Sequence, residues 1–281
     1  MGGLNKLMRD RSAMICIIFL TLVVLAGIFA PWLAPHSPID VNVKEKLAGI
    51  STTYPLGTDQ LGRCIFSRLL YGIRTTVFIA FITMIVTIVI GTLIGGIAGL
   101  FRGKIDEIIM RICDVFMSFP SEVMILAIIG MMGPGLTNIV IASIIAKWAW
   151  YTRMVRSIII KYADKNYIQF ARVSGFSRWH IFKKHIMPNT VGEISVLATL
   201  DAGSVILMIS ALSFLGLGVQ APTPEWGMML NEAKNVMTIY PELMLAPGIA
   251  ILVVVAAFNF LGDSLQDAFN VKRGKRGKRM R

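Results

Sequence analysis

The chain has 281 residues, 55% of them hydrophobic, with a formal net charge of +12. Its mean hydropathy of +0.69 exceeds that of a soluble domain, which is usually about 45–50% apolar by a similar count, so an ordinary soluble enzyme is excluded. Nucleic-acid binding is excluded as well, because the basic residues flank apolar runs instead of gathering on one polar segment.

The first apolar run lies between Arg11 and His36, where Cys16 is the only ionisable residue. A helix crosses the hydrocarbon core in about 20 residues. The run exceeds that length and leads into Pro31 and Pro35 without a small-residue cleavage site, so it predicts a retained membrane helix at 13–34. Arg74 to Arg102 is likewise free of Asp, Glu, Lys and His and of any further Arg. Further spans are expected at 75–101, 109–132, 136–157, 191–217 and 244–262. The expected fold is therefore all-α and polytopic, with six transmembrane helices. The third span carries Asp114, Pro120 and Glu122, and Gly133-Pro134-Gly135 makes a tight turn into the fourth. The chain divides into 1–73 (first span and outer loop), a core domain at 74–265, and a basic tail at 266–281.

Counting lysines and arginines places both termini on the cytoplasmic side. Lys6, Arg9 and Arg11, then Arg102, Lys104 and Arg111, then Lys161 to Lys184 fall inside, whereas the outer loop at 216–243 has only Lys234 against three glutamates. The tail KRGKRGKRMR is expected to rest on anionic lipid, where each basic residue contributes about 1 kcal/mol. Cys16, Cys64 and Cys113 form no CxxC, so neither a disulfide framework nor a cysteine metal site is expected.

The inner segment 161–190 is too polar to span. Ile168, Phe170 and Ala171 precede Gly175; Trp179, Ile181 and Phe182 follow it; Pro188 is expected to stop the second segment. This predicts helix, Gly turn, helix, a pair suited either to a groove on a cytoplasmic partner or to the bilayer surface.

Gln169-Phe170-Ala171, Gly175 and Met187-Pro188 resemble the coupling loop of ABC importer permeases, with Gln in place of the usual Glu and Phe in place of the first Ala. PLGTDQLGR followed by SRLLYGIR (55–63 and 67–74), SFLGLGVQAPTPEWG at 213–227 and FNFLGDSLQD at 258–267 resemble signatures of the peptide/nickel importer permeases. The resemblance implies a permease of the bacterial plasma membrane. It would pair with a second permease, bind two cytoplasmic ATPase subunits through 161–190 and receive cargo from an external solute-binding protein. The chain itself lacks a P-loop: Ala98 stands where the first Gly of GxxxxGK[ST] belongs and Ile105 follows Lys104. HExxH and GxSxG are also absent, so the chain is read as a non-enzyme without a cofactor.

Four strings are more similar to the nickel-type permease than to the peptide type: DVFMSFP, GLTNIVIA, WAWYTRMVRS and VLATLDAGS. Nickel or a metal chelate is therefore the expected cargo, with di- or oligopeptides as the alternative. A gradient-driven carrier would be expected to show inverted repeats, and the sequence has no such internal copy. Lys147 and Asp201 fall deep in the fourth and fifth spans, where a charge costs about 2.5–3.5 kcal/mol. Either Asp201, with Glu122, lines the pathway for cationic cargo, or Lys147 and Asp201 form a buried structural pair. His180 and His185 are five apart, which does not put them on one face of an α-helix. The 17 methionines admit a soft-metal path or simple apolar filling. Cys64 admits an outer ligand or a packed residue, and Glu225-Trp226 a contact for the binding protein or a cap on the pathway.

Overall fold

A computed structural model describes residues 6–269, which are helical with no strand among them. The basic tail from 270 onward and residues 1–5 lie outside that range. The helices run α1 (Arg11–Ile28), α2 (Ile65–Phe101), α3 (Gly103–Met117), α4 (Ser121–Met132), α5 (Leu136–Ala163), α6 (Asn166–Val173), α7 (Arg178–Phe214), α8 (Trp226–Ala233) and α9 (Glu242–Phe269). Four of these, α1, α2, α7 and α9, are long and apolar enough to cross a membrane. The pair α3–α4 supplies a fifth segment, bent by 77° at its break. The sixth, α5, is 28 residues long but is not apolar enough for its composition alone to mark it as a span.

Local chemistry explains where the elements begin and end. Asp10 caps α1, its carboxylate accepting from the Ser12 N–H at 3.0 Å. At the far end of α1, Arg74 donates to the carbonyls of Gly27 and Ile28 at 2.6 and 2.9 Å, a cation on the negative pole of the helix. The expected third span of 109–132 begins earlier and breaks in the middle. Phe119 precedes Pro120 and is disfavoured from helical geometry, and Pro120 itself takes an extended ψ of 132°.

Several expectations need correction: the second span, expected at 75–101, begins at Ile65, and the last, expected at 244–262, runs Glu242–Phe269. The fourth span was placed at 136–157 and runs on to Ala163, because Ile158 and Ile159 keep an apolar face and Lys161 suits the last turn. Pro188 does not stop a helix. It lies at the start of Met187–Phe214, which continues from Arg178 through a π-helical turn at Phe182–Ile186. That wider turn takes the Met187 N–H to the Phe182 carbonyl, and the Asn189 side chain caps the carbonyl of His185 at 2.6 Å, so the proline is absorbed without a break. A similar π turn at Arg74–Phe78 joins Ile65–Ile73 to the rest of α2; the domain boundary expected at 73/74 falls on it.

The α2–α5 contact is the most extensive in the bundle. Gly91, Gly95 and Gly99 recur every four residues along α2. A Cβ at Gly91 would meet the Tyr151 Cβ at 2.5 Å, and one at Gly95 the Thr152 carbonyl oxygen at 2.5 Å. Small residues at this spacing let two helices in lipid gain dispersion contact along their backbones. One large apolar core joins α1, α2, α4, α5, α7, α8 and α9. A smaller cluster sits where the 164–186 loop meets the bundle: Leu100, Val155, Ile159, Ala163, Ile168, Ala171, Ile181, Ile186 and Ile194.

Candidate transport site and coupling loop

Lys147 on α5 donates to both carboxylate oxygens of Asp201 on α7, at 2.8 and 2.9 Å. The Tyr151 hydroxyl, one turn further along α5, donates to the same carboxylate at 2.5 Å. The two charged side chains are 17% and 12% exposed, because they border a cavity of about 270 Å³ shared with Phe116, Met117, Phe119, Ser121, Ala146 and Trp150. The break between α3 and α4 thus forms one wall of the cavity. The structure does not bring Glu122 into it: Glu122 is exposed, one residue past Ser121, and accepts from the Ser121 hydroxyl at 3.1 Å. Asp114 and Asp106 on α3 instead pair with Arg153 and Arg156 on α5, so these two acids have partners across the helix contact.

The loop between α5 and α7 has two sides. Ile168, Ala171 and Ile181 are buried in the small cluster, while Phe170, Val173, Phe176 and Trp179 are exposed, Phe170 by 74% and Trp179 by 65%. Gly175 makes the turn with φ +83°. Its N–H reaches the Arg172 carbonyl at 3.0 Å and the Phe176 N–H reaches that of Ala171 at 3.2 Å, which satisfies the end of α6. Gln169 is exposed on the same short helix and donates to the Ala163 carbonyl at 3.5 Å. Met187 and Pro188 sit at the joint with α7.

Sequence reasoning missed the network on the opposite face. Arg63 and Arg68 are 3% and 1% exposed, and both donate to Glu232, on α8, at 2.9 and 2.6 Å. Arg63 also donates to Asp59 at 2.7 Å, and the Gln60 amide reaches the Glu232 backbone carbonyl at 2.6 Å. Glu225 is fully buried and accepts from Thr76, Ser210 and the Met228 N–H at 3.1, 3.3 and 2.7 Å. Burial pushes its carboxyl above the ordinary range, opposed by the backbone N–H groups of Gly227 and Met228. Trp226 donates to the Leu69 carbonyl at 3.1 Å and packs over Gly72, where a Cβ would stand 2.7 Å from the indole. Glu225 and Trp226 are therefore interior groups rather than a contact surface, and Cys64 is packed away at 2% exposure. Arg68 and Glu232 meet here across 164 positions. That meeting is tertiary and leaves no local mark in the sequence.

The comparisons agree with this architecture. Residues 91–275 match the family described as binding-protein-dependent transport system inner membrane component, and residues 3–49 match the N-terminal TM domain of oligopeptide transport permease C. The chain is 44% identical over 275 residues to the metal-staphylopine import system permease protein CntC of Staphylococcus aureus, covering 98% of this chain and 95% of that one. It is 38% identical to the nickel transport system permease protein NikC of Escherichia coli, over 94% of this chain and 96% of the relative. It is 39% identical to the dipeptide transport system permease protein DppC of Alkalihalophilus pseudofirmus, over 95% and 88%. A solved structure of the MetNI methionine ABC transporter superposes with a TM-score of 0.61 at 16% identity, over 73% of this chain and 97% of that one, a likeness of fold. The chain belongs to the binding-protein-dependent inner membrane components and is a nickel/peptide-type ABC importer permease.

Proposed function

We propose that the chain forms half of the translocation pathway for nickel or a metal chelate, paired with a second permease. Two separate ATPase subunits drive it, an external binding protein feeds it, and both termini face the cytoplasm. The observation that carries the mechanism is the two-sided loop. Phe170, Val173, Phe176 and Trp179 offer a partner an apolar surface, while Ile168, Ala171 and Ile181 tie that surface to Val155 and Ile159 of α5 and Ile194 of α7. Movement of a docked ATPase is then felt by the two helices that carry Lys147 and Asp201. A packed element of this kind switches between discrete arrangements instead of bending continuously. Within the pathway, Asp201 is the carboxylate for which a cationic cargo competes with Lys147, and Tyr151 keeps it oriented. The chain supplies no phosphate chemistry of its own, since it has no P-loop.

The cargo reading rests on likeness to the CntC and NikC permeases. A dipeptide reading is favoured by the DppC likeness at 39%. Expression with the neighbouring binding protein, second permease and ATPases in a nickel-requiring host separates the two. Uptake of radioactive nickel is expected to require this chain and the P-loop lysine of the ATPase. Nickel uptake indifferent to both, with labelled dipeptide uptake dependent on both, would replace the metal reading by the peptide one. Uptake that needs this chain but not the ATPase would overturn the coupling mechanism.

A further inference from the structure

His180 and His185 stand five residues apart, which in an α-helix turns two side chains about 140° away from each other. The π turn at Phe182–Ile186 removes that separation. With the Met187 N–H bonded to the Phe182 carbonyl, five residues close one turn, and the two imidazole centroids lie 6.3 Å apart. Both rings are half-buried, and His180 stacks on Phe176 at 5.1 Å with planes 15° apart, which fixes one of the two ring planes. A metal about 2.1 Å from one nitrogen of each ring sets the centroids about 6.5 Å apart when the nitrogens lie opposite each other on the ion and about 5 Å apart when they are adjacent. The observed spacing therefore suits opposed ligation, and adjacent ligation needs the rings to close by about 1 Å. The charged neighbours Arg178, Lys183 and Lys184 are exposed and carry their charge towards solvent.

We propose that His180 and His185 form a two-imidazole site for a late first-row divalent metal ion, with Ni²⁺ as the probe of choice. Neutral imidazole is a ligand for nickel, copper and zinc. With two protein ligands, the other coordination positions stay open to water, which makes the site reversible. An ion bridging the rings would staple the π turn, and that turn joins the loop to α7. Taking the loop as the coupling element, as proposed above, metal that accumulates on the ATP side would stiffen the joint and slow the importer that delivers it.

The test starts with the full chain purified in detergent without a polyhistidine tag and titrated with nickel chloride by calorimetry. One Ni²⁺ per chain is expected at pH 7.5. Binding should be lost in H180A and in H185A, and kept in H36A. Absence of binding, or wild-type binding in both loop variants, would overturn the site. The second arm measures ATP hydrolysis by the complete importer with and without micromolar Ni²⁺ on the ATP side, each protein compared with its own metal-free rate. A severalfold slowing of the wild type that is absent in H180A supports the brake, and equal slowing in both refutes it. If the complete importer shows no ATP-driven uptake at all, the proposed function fails, and with it the brake, whereas the calorimetry still decides the metal site.

Discussion

On the face built from residues 34–64 and 216–241, charged side chains are buried and matched within the chain; on the face built from residues 164–186, aromatic side chains are left exposed. Arg63 and Arg68 meet Asp59 and Glu232, and Glu225 meets Thr76, Ser210 and a helix N-terminus, so each desolvated group recovers its hydrogen bonds internally. Phe170 and Trp179 recover nothing of the kind among the described residues. Exposed apolar patches of this sort mark places where another surface fits. One face is closed by its own residues, and on the proposed function the other is the one a partner completes. Substitutions that break the first should cost stability, and substitutions in the second should cost coupling.

The largest effect is expected at Arg68. Arg68→Ala removes one of the two guanidinium groups paired with Glu232, leaving Arg63 as the other, and empties the space of a buried side chain, at a combined cost of about 3 kcal/mol. Thermal denaturation of the purified chain should show a clear loss, only partly restored by Arg68→Lys, because an ammonium lacks the planar fork. Melting at the wild-type temperature would remove the argument that this face is held by its charges. Next comes Asp201→Asn, which strands Lys147 and is expected to cost about 1–3 kcal/mol, less than a fully buried pair because the cavity admits water. A double-mutant cycle with Lys147→Met should give a coupling of about 1 kcal/mol, and uptake should fall further than protein abundance does. If uptake merely tracks abundance, the pair is structural and does not serve the cargo.

Smaller again is Gly175→Ala, which places a Cβ at φ +83° and costs about 1 kcal/mol. Limited proteolysis should then cut the 164–186 loop faster without lowering global stability, and an unchanged cleavage rate would dismiss the turn as a constraint. The smallest effect is a pH dependence at Glu225. Its carboxyl is raised on folding from an ordinary 4.5, so the folded state holds the proton more tightly than the unfolded one. The resulting stability is present below the unfolded value and is lost as pH rises through the folded one. Glu225→Gln should flatten that part of the stability profile, and an unaltered profile would assign the dependence to another group.

Much of the bundle was legible because apolar runs bounded by basic residues leave a strong mark, as at α1 and in the uncharged stretch before Arg102. The helix–turn–helix at Gly175 was legible for the same local reason, a glycine between two short amphipathic segments. The C-terminal end of α5 was not, since its Arg153 and Arg156 look like boundary markers until Asp114 and Asp106 are seen to meet them. The π turn before Pro188 was equally hidden: proline reads as a stop unless the preceding turn widens to accept it. Of the candidate site, Lys147 and Asp201 stood out by charge alone. Tyr151 looks like any interfacial aromatic until the α2 glycine seam brings α5 close and fixes its direction.

The most direct test of the contrast between the two faces is co-purification of the partner ATPase with the wild-type chain, with the Phe170→Ala/Trp179→Ala variant and with Glu232→Gln. Removing two anchors from the loop should weaken the association at least about thirtyfold, the equivalent of one interface hot spot of 2 kcal/mol, with the melting temperature of the isolated chain unchanged. Glu232→Gln should lower the melting temperature and leave ATPase binding intact. A loop variant that still holds the ATPase at wild-type strength, or that melts as early as Glu232→Gln, would contradict the account.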